Sequence, residues 1–151
     1  MLTRAEYNRI ICQQLGSAEH IPLLKVLFAD GSIPKVGDCH NNADRWVREN
    51  SGSLAVRGWV TYKPLANGIE LTAHSVVRGP DGTLFDITPL ENEYYRQTMR
   101  FIPHPWDEQM FSSMTEKNIF IQCEVLCDSS RIQEEDTSTK RSSLRDRLSR
   151  S

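Results

Sequence analysis

Long apolar runs are missing from this sequence. No stretch approaches the roughly 20 residues that a helix needs to cross a bilayer, so no membrane span is expected. The first residues, MLTRAEYNRI, lack the basic start and apolar stretch of a signal peptide, and the cytosol is the expected compartment. Charge of one sign is not in excess. A net charge of −2 gives no general reason to expect nucleic acid or a membrane as partner. Cysteine is sparse: Cys12, Cys39, Cys123 and Cys127. No C-x-x-C pair occurs and no histidine follows Cys123 and Cys127, so a structural zinc site is not expected there. Without a secretion signal, the four are read as free thiols rather than as two disulfides. No internal repeat is visible.

What remains is a chain of ordinary globular composition. Its 151 residues, 38% apolar and 25% charged, suffice for one domain with a real core. Thr3 and Glu6 form a capping box for a first helix, in which Tyr7, Ile10, Ile11 and Leu15 recur at helical spacing until Gly16. Leu23 to Phe28 is expected to be a strand or an extended packing segment, and Ala29 to Gly37 a loop. Cys39, Ala43, Trp46 and Val47 then fall on one helix face, with Asp38 as the expected cap and an end at Asn50 to Gly52. Strands follow at Val56 to Tyr62 and Ile69 to Arg78. Gly79-Pro80-Asp81-Gly82 makes the turn into a returning strand, Thr83 to Thr88. Further β segments are expected at Met99 to Ile102 and Ile119 to Leu126, with a helix between them at Pro105 to Met114. The domain is read as residues 1–127. From Asp128 to Ser151 the chain is polar, with almost no large apolar side chain, and is expected to be a disordered tail. Its basic end, Lys140 to Arg150, is either a solvated tail or a weak helix that docks on a partner or on nucleic acid.

Three residues carry candidate chemistry. Cys39, in the first turn of its helix, feels the positive end of the macrodipole and free N–H groups, which favour the reactive thiolate. A cysteine there also serves as a small buried apolar residue. His74 lies mid-strand, where a base is held rigidly. A register pairing Gly79 with Thr83 sets His74 opposite Thr88 and Asp86 diagonally beside it, at about 7–8 Å. A shift by two would put Asp86 directly opposite, and any odd shift would separate the pair. Asp86 sits in the apolar run Leu84-Phe85-Asp86-Ile87, where an unpaired carboxylate would be costly. It serves either to orient the imidazole, as a triad requires, or to cap the strand end by bonding Thr88. A zinc set of Cys39, His40, His74 and Asp86 competes, but sequence-adjacent ligands on a helix rarely converge. No metal or cofactor is therefore expected. His40, about 100° round the helix from Cys39, is not the expected base. His104, between two prolines, is expected to be exposed, and His20 has no evident partner.

Nucleophile on a helix, histidine on a strand and aspartate on the next strand is an order that resembles the papain-like superfamily, most of all its transglutaminase-like branch. The resemblance rests on Gly37-Asp38-Cys39-His40-Asn41-Asn42, Gly58-Trp59, Ala73-His74-Ser75-Val76 and Asp86-Ile87-Thr88-Pro89, the last matching an Asp-x-Thr-Pro motif. The same pieces are similar to a poorly characterised group of small bacterial and phage proteins. The resemblance implies an α+β fold in which a core helix bearing Cys39 packs on an antiparallel sheet bearing His74 and Asp86. It implies Cys39 as nucleophile, His74 as base and Asp86 as orienting acid in a hydrolase or acyltransferase acting on protein or peptide amide or acyl bonds. The alternative is a non-catalytic relative that binds a peptide, a protein or a small ligand. For the oxyanion, the Cys39 backbone N–H is the natural first donor, with Asn41, Asn42 and Trp59 as further candidates.

Overall fold

The N-terminal capping box forms as the sequence predicts. Thr3 Oγ1 accepts from the Glu6 N–H at 3.0 Å, and Glu6 Oε1 accepts from the Thr3 N–H at 2.8 Å. Helix α1 (Arg4–Gln13) starts there and buries Tyr7 and Ile11. The computed structural model describes residues 2–124, the side chains of 62–65 excepted. Among them the fold is α+β, with three α-helices and a five-stranded antiparallel sheet. The expected tail, with Cys127, lies outside the described residues. No helix among those described is long and apolar enough to cross a membrane.

The sheet is built on one long hairpin. Strands β1 (Leu54–Leu65) and β2 (Gly68–Arg78) pair along nearly their whole length, Leu54 facing Arg78 and Gly58 facing His74. Strand β4 (Arg100–Pro103) lines the other edge of β1. The outer edge of β2 is shared by two short strands. β5 (Phe120–Glu124) covers residues 68–72, and β3 (Leu84–Phe85) covers Val77 and Arg78. Between them a stretch of the β2 edge stays open, and His74 lies in it.

The predicted returning strand is cut short for a local reason. In the register Val77 to Phe85, the next backbone groups, those of Asp86, point away from β2. They meet the extended segment before them instead: the Asp86 N–H donates to Pro22 O at 2.9 Å, and the Leu24 N–H donates to Asp86 O at 2.8 Å. The segment expected to be a strand or extended packing is thus extended, with one isolated parallel bridge between Leu23 and Asp86.

Alternation puts Trp59, Leu71, Ala73 and Val77 on one sheet face. Helix α1 and helix α3 (Glu108–Thr115) cover one end of that face, where Tyr7, Ile11 and Phe111 join Trp59, Leu71, Ile102 and Ile121 in the largest core cluster. Helix α2 (Cys39–Glu49) covers the other end, with Ala43 and Phe28 against Val77 and Ile87. The opposite face carries a smaller cluster of Val60, Val76, Met99, Phe101 and Ile21.

Four expectations need correction. Cys12 and Cys123 are not free thiols but a disulfide, with Cα atoms 5.6 Å apart. Helix α1 packs on β5, and that brings the two sulfurs together. The third helix begins at Glu108 rather than near Pro105, because Asp107 caps it by accepting from the Met110 N–H at 2.9 Å. His104 is half-buried rather than exposed. The Trp59 indole N–H donates to Tyr7 Oη, which in turn reaches His104 Nδ1, both at 2.8 Å. Asp38 stands at the N-cap of α2, but its side chain bonds no backbone N–H there; its Oδ1 accepts from Asn41 Nδ2 at 2.9 Å.

Candidate active site

Cys39 is the first residue of α2, and the loop before it is fixed by side chains of that same helix. Asn42 holds Lys35 at both backbone groups, accepting from its N–H at 3.3 Å and donating to its carbonyl at 2.9 Å. Glu49 accepts from the Ala29 N–H at 2.8 Å, and Arg45 pairs with Asp30 at 3.1 Å. The thiol thus enters the helix from a tethered loop. Cys39 is free and half-buried.

The helix packs on the face of β2 that carries Ser75 and Val77, whereas His74 projects from the other face. The open stretch of the β2 edge lets the first turn of α2 come beside His74. The Gly79–Gly82 turn fixes what joins them. The Gly82 N–H donates to Gly79 O, and the Gly79 N–H to Thr83 O, both at 2.9 Å, with Gly82 at φ +88°. That is the register expected from the sequence, and His74 and Asp86 share a face. His74 Nε2 donates to Asp86 Oδ2 at 2.8 Å, which leaves Nδ1 for the thiol.

Asp86 is 0% exposed and His74 7% exposed. The carboxylate is satisfied on both oxygens. Oδ2 also accepts from Arg96 Nη1 at 2.8 Å, and Oδ1 accepts from the Thr88 N–H at 3.1 Å. The two roles weighed for Asp86, orienting the imidazole and bonding Thr88, therefore coexist. Asn42 ties this element to the helix by donating to Thr88 Oγ1 at 2.9 Å.

The electrostatics follow from this grouping. Burial pushes the Cys39 thiol up, but the neighbouring His40 and His74 imidazoles outweigh it and bring the thiol down to about 6. Burial likewise disfavours a charged His74. The hydrogen bonds and charges of Asp86 and Cys39 outweigh it and raise the imidazole to about 10. Burial raises the Asp86 carboxyl, and the bonds from His74, Arg96 and the Thr88 N–H more than reverse that, so its value is lowered. Between about 6 and about 10, the favoured state is a thiolate beside an imidazolium held by a carboxylate.

A cleft of about 360 Å³ opens on Cys39, His40 and His74, walled by Val36, Val60, Leu90, Met99 and Ile119. Its size is at the lower end of small-ligand sites. Among the described residues, no group of three or more His, Cys, Asp or Glu side chains is arranged to hold a metal ion.

The structure does not bring the three side-chain oxyanion candidates to this cleft. Asn41 is exposed and bonds Asp38. Asn42 is buried and fully engaged with Lys35 and Thr88. Trp59 is 0% exposed, and its N–H is committed to Tyr7. Sequence reasoning missed Arg96, whose short 3₁₀ helix (Glu93–Gln97) carries no motif. It also missed Arg57 and Ser75, which face each other across β1 and β2. The available signal was a charged and a hydroxyl residue at inward positions of two otherwise apolar strand faces. Compared with models of known families, with curated proteins and with solved structures, the chain matches none, so the functional assignment rests on this geometry.

Proposed function

We infer that this chain is a cysteine-dependent hydrolase or acyltransferase of papain-like or transglutaminase-like type, acting on an amide or acyl bond of a protein or peptide. One observation carries the reading: a free cysteine at a helix N-terminus shares a cleft with a buried histidine that is bonded at 2.8 Å to a fully buried aspartate. The geometry supports a two-step reaction. The Cys39 thiolate attacks the carbonyl carbon, and the leaving group takes the proton from His74 Nδ1 as it departs. A thioester remains. Water or an amine then gives a proton to His74, attacks the thioester and releases Cys39. Water as acceptor makes a protease or deamidase, and an amine makes a transglutaminase. The proposed setting is the cytosol, and the state of Cys12 and Cys123 in the isolated protein bears on it, since that compartment keeps most thiols reduced.

Activity profiling with a thiol-reactive probe, followed by mass spectrometry of trapped acyl adducts, tests the reading. Acyl adducts on Cys39 that vanish in a His74→Ala variant are expected. A Cys39 that carries none in the wild type would leave the chain as a ligand-binding relative of the fold.

A further inference from the structure

His40 follows the nucleophile directly, and helical geometry alone turns it away from the thiol's face. Its ring nevertheless lines the same cleft as Cys39 and His74. Its Nδ1 lies 2.6 Å from Ser75 Oγ, and its ring stands edge-on to Phe111 at 5.8 Å. Ser75 is 1% exposed and accepts from Arg57 Nη1 at 2.9 Å. Arg57 is fixed in turn by Asp44 and Glu108, both at 2.7 Å. A guanidinium only donates, so Ser75 accepts from Arg57 on one lone pair and has its proton and a second lone pair left for His40 Nδ1. With the hydroxyl proton on that bond, the proton of the His40 ring is on Nε2. Side chains from α2, β1, β2 and α3 thus fix one imidazole beside the nucleophile, with Nε2 as its remaining nitrogen. In this tautomer Nε2 is a donor and not a second base.

Resting on the cysteine-enzyme reading above, we propose that Ser75 donates to His40 Nδ1 and that His40 Nε2–H, together with the Cys39 backbone N–H, binds the substrate carbonyl oxygen as it becomes an oxyanion. The first N–H of a helix has no intrahelical acceptor, so the backbone donor is free for this role. In the step served, the Cys39 Sγ electron pair forms the S–C bond and the carbonyl π pair moves onto oxygen, where the two N–H groups hold it. No proton leaves His40. Collapse returns the pair, breaks the bond to the leaving group and gives the thioester.

Two reactions of Cys39 separate this role from thiol activation. Acylation by p-nitrophenyl acetate passes through an oxyanion and releases p-nitrophenolate. Alkylation by iodoacetamide is a displacement at carbon and forms none. Because His40 also helps to lower the thiol, both are read at the high-pH plateau of each protein's own titration, in the wild type, in His40→Leu and in His40→Gln, whose amide keeps a donor. His40→Leu should lose about 10²–10³-fold in acylation while Cys39 alkylation stays within a few-fold of the wild type. His40→Gln should recover a large part of the loss. Unchanged acylation in His40→Leu overturns the proposal and leaves the cysteine-enzyme reading intact. Parallel loss of both plateau rates also overturns it, because His40 would then act through the sulfur alone. A wild type that is alkylated at Cys39 but never acylated removes the functional reading and this one with it.

Discussion

Asp86 is the residue on which helix, sheet and chemistry converge. Its carboxylate holds His74, Arg96 and the Thr88 N–H at once while fully buried. A buried carboxylate survives only with such partners. Arg96 does not depend on it alone, since it also donates to both Glu93 oxygens and to Thr88 O. Asp86→Asn should therefore fold, but the imidazole would lose the acceptor-only, charged partner that sets its tautomer and stabilises its charge. We expect turnover to fall by about three to four orders of magnitude, read by steady-state kinetics on any substrate that acylates Cys39. Full turnover in that variant would reduce Asp86 to a structural role. Because its folded value is lowered, the ionised carboxylate stabilises the native state above the ordinary carboxylate range. That contribution is lost as pH falls through the lowered value, and Asp86→Asn should flatten the acid limb of a stability curve.

At the scale of elements, the decisive feature is the hairpin turn, because one residue of slip would send His74 and Asp86 to opposite faces. Gly82 holds φ +88°, and a Cβ there would meet nothing within 4 Å. Gly82→Ala should thus cost only the conformational penalty, about 1 kcal/mol. Gly58 is a different case. It pairs with both His74 and Pro103, and a Cβ there would run into the Ile102 carbonyl and the Phe101 ring. Gly58→Ala should cost about 1–3 kcal/mol or more from overpacking, and denaturant titration of the two variants should rank them in that order. The turn was legible in the sequence because proline, aspartate and glycine each fix a dihedral or a bond locally. The helix bearing Cys39 was legible from its apolar spacing. The early end of β3 was not, since it depends on Pro22 and Leu24, far away in sequence. Neither was the role of Asn42, which clamps two segments that only the fold brings together.

For the whole molecule, the two apolar clusters on the helical face and the one opposite leave the cleft at the edge of the sheet, where the described strands do not close it. The Cys12–Cys123 bond staples α1 to β5 across a sequence separation of 111. Neither cysteine lines the cleft. Reduction, or a Cys12→Ser variant, should lower stability by about 2–5 kcal/mol in thermal unfolding while leaving the reactivity of Cys39 in place. The pairing was invisible in the sequence because it is a property of which surfaces meet. The central claim is that Cys39 is an activated nucleophile, and timed iodoacetamide alkylation with peptide mapping, across about pH 5 to 9, tests it most directly. Cys39 should be modified along a titration centred at about 6, and His74→Ala should move that midpoint up toward the ordinary thiol range. A Cys39 that reacts only as the pH passes about 8.5, with or without His74, would contradict the account.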